Sequence, residues 1–207
     1  MLTPLIQGFS LGASLIIAIG SQNAFVLRQG LKKEHVFTIC TICFLCDALL
    51  IFLGVVGVGS LVASSQNLMQ IARWGGALFL FFYGARSFRS ALKPETLEVD
   101  SSHNSSSSLT WAIATTLALT LLNPHVYLDT VILLGSIAGQ FPEKQRATFA
   151  IGAACASMVW FYGIGYGSRI LTPFFRKQMA WKILDALIGA IMWGIAGSLL
   201  LPVFTAQ

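Results

Sequence analysis

Six apolar stretches of about 20 residues each follow one another along this chain, and no other feature limits its fold so strongly. They cover residues 5–27, 36–62, 74–92, 109–138, 147–171 and 181–204. A helix of about 20 residues crosses the ~30 Å hydrocarbon core of a bilayer. Lipid offers no partner to backbone groups outside a helix or a closed barrel. The sequence therefore predicts an all-α polytopic membrane protein with six transmembrane helices.

Charged residues are scarce along the chain. Asp, Glu, Lys and Arg make up 10% of it, against roughly 25% in soluble domains, so the lipid bilayer is the predicted environment. The net charge of +5 is of the sign that nucleic acid attracts. However, the basic side chains lie in short loops and form no patch interleaved with aromatic residues. No nucleic-acid partner is predicted.

The positions of the basic residues predict the orientation of the chain. Ten of the 13 lie in the loops that follow the first, third and fifth helices: Arg28, Lys32, Lys33, Arg86, Arg89, Lys93, Arg169, Arg176, Lys177 and Lys182. Because cytoplasmic loops are enriched in Lys and Arg, both termini are predicted outside the cytoplasm. No Lys or Arg precedes the first apolar stretch. We therefore interpret it as a retained span and not as a signal peptide.

A serine-rich segment divides the chain into two similar halves. Residues 93–108 contain six serines and predict a flexible cytoplasmic linker between units 1–92 and 109–207. Three matches recur in the same order, at residues 57–60 and 165–168, 76–84 and 189–197, and 23 and 123. Because each unit has three helices, the second enters the membrane upside down relative to the first. The pattern thus predicts two inverted three-helix repeats, as in many secondary transporters.

The fourth apolar stretch is interrupted near its centre by Pro124. This proline lacks an N–H and clashes with the carbonyl four residues earlier, so it must bend or break the helix. The backbone groups that it frees should face protein or a water-filled cavity. Gly20 and Asn23 correspond in the first stretch to the Asn123-Pro124 pair. A binding site is therefore predicted between the two breaks, near the middle of the membrane.

Two of the eight acidic residues, Asp47 and Asp129, lie well inside apolar stretches. A carboxylate at membrane depth costs at least ~2.5–3.5 kcal/mol, which indicates a function. No basic residue well inside a span neutralises either of them, so we predict that their partner is a cation from outside the chain. Asp185 follows Lys182 by three residues, and we expect an ion pair between these two near a helix end.

Metal and redox chemistry are the alternatives that the residues leave open. Asp47, Cys43, Cys46 and His125 are a ligand set for a divalent metal cation, and Cys40 with Cys43 is a candidate thiol redox relay. Packing of a small apolar residue explains these cysteines more simply, so no metal site and no cofactor are predicted. His125 has no serine or cysteine motif beside it. We therefore predict no catalytic residues and no enzyme activity.

Three runs of residues resemble the LysE-type family of bacterial basic amino-acid exporters. They are Gly20–Gly30, Arg73–Gly76, and Leu122–Thr130 with Gly135–Ser136, and the similarity spans nearly the whole chain. The run Asn-Pro-x-x-Tyr-Leu-Asp at 123–129 is its most specific part. The first motif of the family usually reads Gly-Pro-Gln-Asn, whereas Ser21 replaces the proline here.

The resemblance implies a secondary transporter in the bacterial cytoplasmic (inner) membrane that exports L-arginine, L-lysine or both. Asp129 favours a basic substrate, because exporters of neutral amino acids in the wider superfamily lack this aspartate. Protons are the expected coupling ion, exchanged through Asp129 with support from Asp47. The substrate-binding residues are expected to be Asp129, Asp47, Asn123, Asn23, Gln22 and Tyr127, with helix breaks at Gly20 and Pro124. The order of preference between arginine and lysine, a different amino acid as substrate and a homodimeric assembly all stay open.

Overall fold

The computed structural model describes residues 2–17, 20–57, 66–92, 108–173, 175 and 178–205. All regular structure in these residues is helical, which confirms the all-α class for them. The helices are α1 Leu2–Ile16, α2 Ser21–Lys32, α3 Val36–Val56, α4 Gln66–Leu92, α5 Leu109–Leu121, α6 Pro124–Gly139, α7 Glu143–Gly167 and α8 Gln178–Thr205. Apart from Ser108, the linker predicted at 93–108 lies outside the described residues.

Three described segments are long and apolar enough to cross a membrane alone: Val36–Val56, Glu143–Leu171 and Met179–Leu200. Two bent pairs, α1 with α2 and α5 with α6, raise the number to as many as five if each pair forms one span. α4 has 27 residues but is not among these candidates. Its three arginines, Arg73, Arg86 and Arg89, lower its hydropathy. A sixth span therefore remains a prediction.

Both bent pairs break where the apolar stretches carry helix-disrupting residues. The axes of α1 and α2 differ by 83°, and those of α5 and α6 differ by 58°. Gly20 precedes α2 in an extended conformation, with φ −125° and ψ 176°. Pro124 is the first residue of α6, a position where its missing N–H costs nothing. Ser21 in place of the family's proline is thus compatible with a sharp bend.

Long helices from the two halves of the chain pack against each other. α4 lies along α8, α1 lies along α7, and α3 packs against α7. α2 also contacts α7, and both α5 and α6 contact α3. Each bent pair therefore packs against the middle helix of the other half.

Glycines permit the closest of these helix contacts. A Cβ atom at Gly8 would overlap the carbonyl oxygen of Phe149, and one at Gly152 would overlap that of Leu5, so these glycines bring α1 and α7 together. Gly54 and Gly135 play the same part between α3 and α6. Small residues are the usual means of close approach between membrane helices.

Candidate functional site

A cavity of about 290 Å³ lies where the two helix breaks meet. This volume is near the lower end of the ~300–1,000 Å³ of small-molecule sites. Its lining residues come from six helices and both breaks: Leu15, Ile16, Gly20, Ser21, Gln22, Asn23, Asp47, Asn123, His125, Val126, Asp129, Thr130, Phe161, Ile195 and Ser198. Neither Lys nor Arg occurs among these described lining residues, so the two carboxylates have no fixed cation in the cavity wall.

The first turn of α2 presents polar groups to the cavity. Gly20 has no side chain to cap the helix, and the first N–H groups of a helix have no partner within it. The hydroxyl of Ser21 is buried without a hydrogen-bond partner among the described residues. The side-chain nitrogen of Gln22 is buried beside Cys43 and makes no hydrogen bond of normal geometry there. Together with the helix dipole, these donors form a site suited to an anion.

Two side chains satisfy the carbonyl groups that the breaks release. The Asn23 amide donates to the Ile16 carbonyl oxygen over 2.8 Å, and the Tyr127 hydroxyl donates to the Leu121 carbonyl oxygen over 2.8 Å. In each bent pair of helices, a side chain of the second helix thus donates a hydrogen bond to the last carbonyl group of the first helix. Tyr127 is not among the residues that line the cavity, and neither is Pro124.

Asn123 caps the second break. It precedes α6, and its side-chain oxygen accepts a hydrogen bond from the His125 N–H over 3.2 Å. Because Pro124 has no N–H, α6 begins with fewer free donors than α2 does. The two breaks therefore differ in chemistry, and the start of α2 is the more open anion site.

Asp47 is a buried carboxylate in the cavity wall. Its residue is 4% exposed, and its Oδ2 accepts a hydrogen bond from the Ser157 hydroxyl over 2.8 Å. Ser157 lies on α7 and is fully buried. The carboxylate is thus held by a side chain of the other half of the chain.

Asp129 is half-buried and lies in a distorted part of α6. Residues Tyr127–Leu133 form a π-helical segment, in which the Leu134 N–H donates to the Asp129 carbonyl five residues back. The Thr130 hydroxyl donates to the Val126 carbonyl over 2.6 Å. His125 lies one turn before Asp129 and within electrostatic reach of it. Such π segments occur frequently at functional sites.

Residues of α7 and α8 complete the site, although the sequence did not single them out. The Trp160 indole N–H donates to the Asn23 side-chain oxygen over 3.3 Å, and Phe161 lines the cavity. With Ser157 they occupy one face of α7, at spacings of three and four. Ser198 of α8 also lines the cavity. The sequence does contain one signal for Ser157 and Ser198, since each is the only serine in its apolar helix.

The alternative chemistries find little support in the described residues. They contain no group of three or more His, Cys, Asp or Glu side chains placed to hold a metal ion. Cys40 and Cys43 are free thiols, both fully buried, and the Cys40 thiol donates to the Phe161 carbonyl over 3.2 Å. A redox partner has no access to either thiol in this conformation.

Asp185 has a different partner from the one expected. Its carboxylate lies 3.1 Å from the Arg28 guanidinium, across the interface between α2 and α8. The expected ion pair with Lys182 is therefore wrong. Sequence spacing finds partners on the same helix, whereas this partner comes from packing between helices.

Comparisons with known proteins agree with the sequence motifs. The LysE type translocator family matches residues 13–202. A protein of Serratia proteamaculans named arginine exporter protein ArgO is 40% identical over 95% of each chain. ArgO of Salmonella enteritidis is 39% identical over 95% of this chain and 92% of its own. YggA of Aeromonas salmonicida is 43% identical over 95% of each chain, and its name assigns amino-acid transport only provisionally. No solved structure matches.

Proposed function

Because this chain belongs to the LysE family of translocators, we propose that it exports L-arginine from the bacterial cytoplasm as a secondary transporter. The observation that carries the proposal is the cavity between the helix breaks, in which Asp47 and Asp129 have no Lys or Arg beside them among the described lining residues. A guanidinium group fits this anionic wall, because its planar donors match carboxylate oxygens. The names of the Serratia and Salmonella relatives also support arginine.

L-Lysine is the second candidate substrate. Its ammonium group is a compact cation that two carboxylates attract as well. Among the described lining residues nothing selects by charge between the two substrates, because Asp47 and Asp129 attract either cation. Radiolabelled arginine and lysine, compared in one assay, decide the order of preference.

The two ends of the substrate have separate sites in this proposal. The uncapped start of α2, with Ser21 and Gln22, holds the α-carboxylate by charge-assisted hydrogen bonds. Asn123 and Asn23 lie beside it and orient the α-amino group. The cationic side chain extends towards Asp129, which is half-buried and therefore accessible from the cavity.

Proton exchange at Asp129 is the proposed coupling step. Moving one positive charge out of the cell against an inside-negative potential costs about 2.3 kcal/mol per 100 mV. A proton that enters for each cation that leaves cancels this cost. Asp129 would hold either the substrate cation or a proton, and burial helps because it disfavours an unpaired charged carboxylate. Asp47, buried against Ser157, acts as a second anion or proton relay.

Alternating access between two inverted halves is the proposed transport cycle. The packing supports it, because α2 meets α7 at Gly30 and Gly165, whereas α6 meets α3 at Gly135 and Gly54. These are equivalent contacts if the halves are related by a two-fold axis in the membrane plane. The six spans, the boundaries of the two units and the external location of both termini belong to the same proposal.

Transport assays in cells and in proteoliposomes test the function. Cells with the protein should accumulate less radiolabelled arginine than cells without it. In proteoliposomes, acidifying the receiving side at a fixed potential should speed arginine efflux. Equal accumulation in both cell types would contradict arginine as the substrate. An efflux rate that does not change on acidification would contradict only the coupling to protons.

A further inference from the structure

A buried polar cluster connects three helices at one end of the molecule. Arg28 of α2 lies 3.1 Å from Asp185 of α8 through Nε and Oδ1, and the two side chains are 12% and 4% exposed. Ser90 of α4 donates to Asp185 Oδ2 over 2.7 Å. Tyr83 of α4 is buried next to this pair. α2 and α4 end here and α8 begins here, so the predicted orientation places the cluster on the cytoplasmic side.

The ion pair is poorly optimised for stability. Arg28 Nη2 is 3.4 Å from Asp185 Oδ2 and 3.4 Å from Ser90 Oγ. The Nε and Oδ1 atoms approach each other without forming an aligned hydrogen bond. Charge-assisted N–H···O hydrogen bonds are usually ~2.7–2.9 Å long, and both Arg28 contacts exceed that length, so the shortest bond to Asp185 comes from Ser90 and not from Arg28. A competing cation can therefore replace Arg28 at small net cost.

A continuous face of α8 connects this pair to the cavity. Asp185, Ile188, Met192 and Ile195 follow one another at spacings of three or four residues, so they lie on one side of the helix, and Ser198 follows one turn later. Ile195 and Ser198 line the cavity. At 1.5 Å per residue, Asp185 lies about 15 Å along the helix from Ile195.

Apolar side chains close the space between the ion pair and the cavity. Ile188 and Met192 of α8 and Phe25 of α2 are fully buried and belong to one cluster. Phe25 lies between the cavity residue Gln22 and Arg28, three residues from each. From this end of the molecule towards the cavity, the buried carboxylate of Asp185 thus comes first and the apolar side chains of Phe25, Ile188 and Met192 come second.

We propose that Asp185 is a binding site for the cationic side chain of the incoming substrate, and that Arg28 occupies it as a tethered guanidinium until the substrate displaces it. This inference rests on the proposed export of arginine. Displacement releases α2 from α8, so that Phe25 can move away from Ile188 and Met192. The pair is thus a gate that opens to a basic amino acid and stays closed to a neutral one.

Sided labelling of a cavity cysteine tests the gate. The reporter is Ser198→Cys in a chain whose four native cysteines are replaced by alanine. Because Ser198 lines the cavity, the arginine export of this chain is measured beside that of the same chain with Ser198 retained. A membrane-impermeant maleimide is added to the cytoplasmic face of oriented vesicles. Labelling should be slow without substrate, at least fivefold faster with arginine, and unchanged by leucine. An arginine-independent rate in an export-competent chain would overturn the proposal.

Two further variants separate gating from folding and from the choice of substrate. In Asp185→Asn, the reporter cysteine should be labelled rapidly without any substrate. This measurement therefore tests the gate even if the protein does not export arginine. The double variant Arg28→Met with Asp185→Leu replaces the pair by apolar contacts, which buried sites tolerate well. It should fold, label slowly with or without arginine, and lose at least tenfold in export. Normal export by this double variant, or slow labelling of folded Asp185→Asn, would refute the gate.

Lys182→Met is the matched control. It removes a cation one turn from Asp185 on the same helix, but one that takes no part in the pair. Its labelling and export should equal those of the parent chain. A loss equal to that of the double variant would mean that any basic residue at this end of the molecule matters, which would also overturn the assignment.

Discussion

Asp47 and Asp129 line one cavity, but their surroundings suit them to different tasks. Asp47 is fully enclosed and accepts a hydrogen bond from Ser157, so its position is fixed. Asp129 is half-buried at the start of a π-helical segment and faces the cavity more openly. We therefore expect substitutions at the two positions to have different consequences for export.

Asp129→Asn should abolish arginine export, because an amide neither attracts a guanidinium nor exchanges a proton. We expect a rate at least ~100-fold lower, measured as radiolabelled arginine efflux from proteoliposomes. Asp129→Glu keeps the charge and is the control, with partial activity expected. Efflux at the normal rate by Asp129→Asn would refute the shared-carboxylate mechanism even if arginine is the substrate.

Ser157→Ala should impair export less, by roughly tenfold, because it removes one charge-assisted hydrogen bond worth ~1.5–3 kcal/mol. The loss should change the pH dependence of efflux, since Asp47 then lacks the hydroxyl group that holds its carboxylate in position. Ser157→Thr retains the hydroxyl and should restore the profile of the parent chain. A pH profile identical in all three proteins would exclude a role for Ser157 in positioning Asp47.

Sequence reasoning can find a polar residue inside an apolar stretch but not the direction of its side chain. Five of the six expected substrate residues line the cavity, whereas the Tyr127 hydroxyl is engaged by the end of α5. Ser157 was missed because its importance comes from Asp47, which lies 110 positions away in the chain. The same limitation explains Asp185, whose partner Arg28 comes from another helix.

At the scale of helices, hydropathy predicts where the helices lie along the chain, and helix-breaking residues predict where they are interrupted. The stretches at residues 5–27 and 109–138 each turn out to contain two helices with a bend between them. Pro124 indicated the second bend directly. The first bend depends on Gly20, whose permissive backbone is a weaker signal. The angle of each bend could not be predicted, because packing against α7 and α3 determines it.

Pro124→Ala should lower export at least ~10-fold while leaving membrane insertion intact. Alanine allows α5 to continue towards α6, which draws Asn123 away from the cavity, yet the segment stays apolar enough to insert. The measurement is export per molecule of membrane-inserted protein. Pro142→Ala, just before α7 and outside the cavity, is the matched control and should behave like the parent. Normal export by inserted Pro124→Ala would contradict the broken-helix site.

Gly152→Ala should destabilise the contact between α1 and α7, because the added methyl group overlaps the Leu5 carbonyl. Overpacking of this kind costs ~1–3 kcal/mol, which should appear as a lower midpoint of thermal unfolding in detergent. Gly163→Ala lies on the same helix with no atom within 4 Å of the new Cβ. It should be neutral or slightly stabilising, so equal losses in both variants would exclude the close contact as the cause.

At the scale of the whole molecule, the orientation in the membrane is the most direct test of the arrangement. Topology reporters fused at Ser105 and Gln207 should give opposite signals, cytoplasmic for Ser105 and external for Gln207. A reporter at Gln140, between α6 and α7, should match Gln207. Equal signals at Ser105 and Gln207 would exclude six spans, because one of the three predicted spans between these residues would then not cross. Failure of α4 alone, with the N-terminus external, would instead reverse both signals, external for Ser105 and cytoplasmic for Gln207.

The buried pair of Arg28 and Asp185 makes the two faces of this carrier unequal. Matching the halves by residues 76–84 and 189–197 aligns Asp185 with Ala72, which bears no charge, so the first half offers no second carboxylate there. In the proposed proton exchange, a carrier with equivalent faces would visit both open forms equally when empty, and each cycle without substrate would carry a proton inward unused. The proposed gate at Arg28 and Asp185 acts on the cytoplasmic face alone, so it holds the substrate-free protein in the form that is closed to the cytoplasm. A cell short of substrate would then keep its proton-motive force. Leakage of protons through the substrate-free protein should rise when the gate is open, as in Asp185→Asn.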